Sequence, residues 1–126
     1  MALINDTDIT ITHAFVDEIG DPIDLAGFTG FIAKVFQKGI EIDKFSSNVQ
    51  VGFGLIDLSS PTTDGIITFH VNAEKLRQGI DSLDVFYEIK TEKANAKFEN
   101  STEESSTGAL LLGTLTKTKL TNETFS

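Results

Sequence analysis

Side-chain alternation is the feature that most narrows what this chain can become. In residues 7–16, Ile9, Ile11, His13 and Phe15 fall on one side of a pleated strand, and Asp8, Thr10, Thr12 and Ala14 fall on the other. The same period of two returns in residues 66–71, where Ile67, Phe69 and Val71 point one way. It returns again in residues 83–90, where Leu83, Val85, Tyr87 and Ile89 do so. Threonine, isoleucine and valine, which suit a pleated and half-buried surface, are frequent throughout. A helix would scatter these residues around its circumference, so the pattern predicts half-buried antiparallel strands.

The segments between them complete a β-rich reading. Residues 17–24 hold Gly20, Pro22 and four carboxylates and predict a turn, with Leu25 plugging the core beyond it. Residues 30–38 are apolar on both sides of the pleat, as expected of a central strand or of one whose outer face is covered. Gly39 allows a turn into a short return strand over residues 40–43. Residues 49–55 alternate again, with glycines leaving one side bare enough for a close neighbour. Residues 59–65 are dense in turn formers and end in Asp64-Gly65. Residues 72–79 predict one or two helical turns, with Asn72 as the N-cap, Leu76 packing inward and Gly79 as the terminator. Residues 92–107 are rich in Glu, Lys, Asn, Ser and Thr, with Phe98 as their one anchor, and suggest a solvated hairpin arm or a disordered loop. Residues 108–118 supply the last strand. The expectation is an all-β, immunoglobulin-like antiparallel sandwich of seven to eight strands with one short helix, a single domain over residues 1–120 and a polar tail at 121–126.

A chain of 126 residues hides roughly two-thirds of its unfolded surface on folding. It contains no cysteine, so disulfides, thiolate metal sites and cysteine nucleophiles are excluded. Nineteen acidic and ten basic residues give a net charge of −9, which disfavours binding to nucleic acid. No apolar run approaches the roughly 20 residues of a membrane helix, and residues 1–6 lack the features of a signal peptide, so the expectation is a protein made in the cytoplasm with no membrane partner.

Chemistry finds little purchase. His13 and His70 are too few for a three-ligand metal site, and His13 is better read as a neutral, hydrogen-bonded, partly buried imidazole. Asp17, Asp21 and Asp24 are calcium candidates, since converging loop carboxylates can hold that cation, although their spacing suits a solvated turn as well. Nucleophile-elbow, phosphate-loop and dinucleotide motifs are missing. Neither catalytic residues nor a cofactor are expected, so the chain reads as non-enzymatic. Ten phenylalanines with one tyrosine and no tryptophan weaken carbohydrate stacking. Phe53 and Phe86 are the aromatics expected to be exposed. Strands apolar on both faces, at residues 31–36 and 110–112, suggest surface covered either by a partner or second copy or by the chain's own loops. The interface candidates are therefore Phe31, Phe36, Phe53, Phe86 and Leu111.

The order of elements carries a resemblance. Residues 6–15, the Pro22-Ile23-Asp24-Leu25-Ala26-Gly27 turn, a strand through Val35, residues 65–76, Phe86-Tyr87-Glu88-Ile89-Lys90 and Gly113-Thr114-Leu115-Thr116 follow one another across residues 5–118. This succession resembles the immunoglobulin-like β-sandwich module of phage baseplate upper proteins and related tail components. The resemblance implies a non-catalytic virion part, such as a tail, baseplate, fibre-attachment or capsid-decorating component, made in the host cytoplasm, joined to other virion proteins and oligomeric with itself. The alternative reading is a carbohydrate- or calcium-binding sandwich module.

Overall fold

The computed structural model describes residues 2–4, 7–94 and 102–116. Among the described residues lie ten strands and one short α-helix: β1 (Ala2–Ile4), β2 (Ile9–Ala14), β3 (Gly30–Gln37), β4 (Ile40–Ser46), β5 (Gly54–Leu55), β6 (Asp57–Leu58), β7 (Ile66–Val71), α1 (Ala73–Leu76), β8 (Asp84–Ala94), β9 (Thr102–Ser106) and β10 (Leu110–Thr116). They form two sheets. The larger runs β1-β10-β8-β3-β4-β5, with β9 paired to the far half of β8, and the smaller runs β2-β7-β6. The order β2-β7-β6 against β10-β8-β3-β4 is that of strands B-E-D against G-F-C-C′ in an immunoglobulin-type sandwich, here built without its disulfide.

The predicted alternation is what packs the two layers. Ile11, Ile67, Phe69 and Val71 from the smaller sheet meet Phe31, Ala33, Val35, Phe45, Val85, Ile89 and Leu115 from the larger, all buried. Each such side chain stabilises the fold by about 1.5–3 kcal/mol on leaving water. Leu25 is fully buried, as its place after the acidic turn predicts, and Leu76 of α1 closes the same core.

Several expectations change in detail. The sheets are antiparallel except at two margins, where β1 runs parallel to β10 and β5 parallel to β4. Neither β1 nor β6 has enough residues to show a period, which is why the sequence does not reveal them. The alternation at residues 49–55 does not become a long strand: Val49 and Val51 are almost fully exposed in a turn at Gly52 (φ +85°). Strand pairing there is limited to Gly54 and Leu55. The bare side of Gly54 is filled by the Phe45 ring, which would lie 2.6 Å from an added Cβ. The N-cap of α1 also differs. Asn72 makes no side-chain capping bond, and the Ala73 N–H donates instead to Asp8 Oδ1 at 2.6 Å, from the start of β2.

The polar segment at 92–107 is a hairpin arm where it is described, with Lys90 paired to Ser106 and Ala94 to Thr102. Phe98 and the predicted tail at 121–126 lie outside the described residues. Among the described residues no helix is long and apolar enough to cross a membrane.

Candidate interaction surface

Because β3 and β8 pair in register, their outward residues stand in rows across the larger sheet. Phe36 is opposite Phe86, and Phe86 is opposite Leu111 on β10, so three apolar side chains from three neighbouring strands form one row on the face turned away from the core. The Phe36 and Phe86 rings stack with centroids 6.1 Å apart, and Leu111 is 62% exposed. Leu111 owes its position to a bulge between Leu111 and Gly113, which turns Leu112 toward the core and leaves Leu111 outside. Ile32, partly exposed, continues the apolar character along β3.

The charges around that row are arranged by strand. Lys34 on β3 stands opposite Glu88 on β8, and Lys34 is also opposite Lys44 on β4. Glu88 accepts a hydrogen bond from the Ser106 hydroxyl at 2.5 Å. Lys44 is drawn aside, its ammonium 4.6 Å above the Phe53 ring. Among the described residues the ion pair that forms is Lys93–Glu103 on the arm, 3.8 Å long, so Lys34 and Glu88 face each other without bridging. Asp84 accepts from the Thr114 hydroxyl at 2.8 Å.

Of the five apolar interface candidates, Phe36, Phe86 and Leu111 are brought together. Phe53 lies beyond β4, half-buried beneath Lys44. Phe31 must be corrected: it is 2% exposed, because its place in the alternation turns it inward, where it packs against Phe15 and Phe28 at 5.7 and 5.2 Å. The sequence alone identifies the outward positions of Lys34 and Glu88 but not their pairing, which depends on strand register.

The acidic turn does not converge. Asp17 Oδ1 accepts from the backbone N–H groups of Ile19 and Asp21 at 3.0 and 2.9 Å. Asp24 Oδ1 accepts from Ala26 N–H at 2.9 Å and from the Thr62 hydroxyl at 3.0 Å. These carboxylates build the turn and cap the following 3₁₀ segment. Among the described residues no three His, Asp or Glu side chains are grouped as metal ligands, so Asp17, Asp21 and Asp24 are not assembled into a calcium site.

At the arm end of the sandwich, where the larger sheet extends past the smaller, a cleft of about 270 Å³ opens over Phe15, Ile23 and Phe28, rimmed by Lys93, Glu103 and Ser105. In the interior, His13 Nδ1 lies 3.2 Å from the Tyr87 hydroxyl. Burial lowers the His13 pKa and raises that of Tyr87. On β4, burial raises the Asp43 pKa against the lowering effects of the Lys44 N–H and the Lys75 charge, with Glu41 adding to the rise.

No protein-family model and no curated protein matches the chain.

Proposed function

We propose that this protein is a non-enzymatic structural or assembly component of a virion, in the manner of a phage tail, baseplate, fibre-attachment or capsid-decorating protein, and that it works by protein–protein contact. The observation that carries the proposal is the apolar row Phe36–Phe86–Leu111, laid across three strands on the outer face of the larger sheet and bordered by charged residues. Apolar cores with polar rims are how proteins meet proteins, and a flat sheet face suits a broad, shallow contact better than a small molecule. The order of sequence elements that resembles phage baseplate modules, together with the sandwich topology, gives the contact its setting. Other virion proteins are the proposed partners.

The test is incorporation into particles. A tagged copy expressed during infection should co-sediment with intact particles in a density gradient, and a Phe86→Lys, Leu111→Lys variant with an unchanged circular dichroism spectrum should not. Absence of the wild-type chain from the particles would end this reading. The cleft beneath the arm favours a second reading, a small-ligand module of carbohydrate-binding type. At about 270 Å³ the cleft is slightly below the roughly 300–1,000 Å³ of ordinary ligand sites, and its floor is phenylalanine. Chemical-shift changes confined to residues 89–93 and 103–107 on titration with oligosaccharides would favour that second reading over the first.

A further inference from the structure

We infer that the outer face of the larger sheet docks onto the same face of a second copy, about a two-fold axis that runs along the strands between β3 and β8. The inference rests on the reading of this face as the docking surface and adds its occupant and register. β3 carries Lys34 outward, whereas β8 carries Asp84, Glu88 and Lys90 outward, with Phe36 opposite Phe86 and Lys34 opposite Glu88. Lys34 on one strand beside Glu88 on the next is self-complementary about an axis between the two strands. Rotation places β3 of one copy over β8 of the other, so that Lys34 meets Glu88, Phe36 meets Phe86, and the stem of Lys90 covers the partly exposed Ile32.

Two other axes within the face do not set Lys34 against Glu88. An axis along the apolar row would set Asp84 against Glu88 on the same strand, and one along β8 itself would set Glu88 on Glu88. Within one chain Lys34 and Glu88 are opposite in register yet form no ion pair, so both charges remain for an intermolecular contact. Ser106 holds one oxygen of the Glu88 carboxylate by a hydrogen bond within the chain, which leaves the other oxygen for Lys34 of the second copy. Two sheets meeting in this way cross at about 30° because each is twisted, which is the ordinary geometry of aligned sheet packing.

Sedimentation velocity and native mass spectrometry of the full chain test this directly. The wild type is expected to dimerise. Lys34→Glu alone and Glu88→Lys alone should each weaken the dimer by about tenfold or more, since each sets like charges against one another across the axis. An equimolar mixture of the two variants should recover wild-type affinity as a heterodimer, because both cross-axis contacts then pair opposite charges. Mixing cannot repair an effect within one chain, so the recovery separates docking from folding, and melting temperatures of the single variants report the folding effect independently. A mixture no tighter than its components would overturn the register. A wild-type chain that stays monomeric at about millimolar concentration would overturn the second copy as occupant. In either case particle incorporation that still depends on Phe86 and Leu111 would leave the assembly reading standing.

Discussion

His13 Nδ1 and the Tyr87 hydroxyl, 3.2 Å apart, join the smaller sheet to the larger across the interior of the sandwich. The His13 ring also meets Phe15 edge-on at 4.7 Å, so partial burial beside aromatic groups disfavours an imidazolium there. His13 has the hydrogen-bonded, partly buried setting expected from the alternation of β2, and because burial lowers its pKa it makes stability depend on pH. Burial depresses the folded pKa, so on acidification below about 6.5 the unfolded chain takes up a proton that the folded chain resists. Stability from this residue is complete above that value and declines as pH falls through the folded pKa. His13→Leu should abolish that part of the decline in urea midpoints measured between about pH 7 and pH 5. Asp43 has the opposite sign: its folded pKa is raised by burial, so protonation at lower pH favours the fold.

Gln37 closes the inner row of β3 and is 1% exposed. Its amide nitrogen donates to the carbonyls of Ile80 and Leu83 at 2.9 and 3.1 Å, and its oxygen accepts from Ile80 N–H at 2.6 Å. Gln37→Leu keeps the volume but leaves these backbone groups without a partner, and should lower unfolding free energy by about 2–4 kcal/mol in denaturant titrations.

The cap of α1 comes from a residue distant in sequence. Asp8→Ala should cost about 1 kcal/mol, and Asp8→Asn less, because an amide oxygen can still accept from Ala73. Asn72→Ala should leave the urea midpoint nearly unchanged. The reverse ranking would mean that Asn72 is the cap after all.

Gly65 has φ +70°, and an added Cβ would lie 2.8 Å from the Ile23 carbonyl oxygen and 2.9 Å from that of Phe15. Those backbone atoms are tied down, since Phe15 N–H donates to Gly65 and Ile23 N–H donates to Phe15. Gly65→Ala should therefore cost at least about 2 kcal/mol, from left-handed strain and overpacking together. Gly20, with φ +91° and open space around its Cβ position, should cost only the strain, about 1–2 kcal/mol. Equal thermal shifts for the two alanine variants would contradict the crowding.

Phe31 and Phe86 separate core from surface. Phe31→Ala should destabilise by about 3–5 kcal/mol, as expected of a cavity in a packed interior. Phe86→Ser should cost about 1–2 kcal/mol from half-burial and lost stacking on Phe36, and its larger effect should appear in association.

The period of two in Ile9–Phe15, Ile67–Val71 and Leu83–Ile89 was sufficient to make the chain all-β and to say which side chains enter the core, because burial on one face of a strand depends only on local alternation. The same local chemistry marked the acidic turn, Leu25 and the arm. Tertiary structure decided everything that depends on register and distance along the chain. It set Phe36, Phe86 and Leu111 in one outward row, gave the helix a cap from Asp8, and left Val49 and Val51 exposed at the turn before Gly54. Residues far apart in sequence have no local signature of their meeting; only the pairing of β3, β8 and β10 sets the three apolar side chains and the charges of Lys34 and Glu88 side by side.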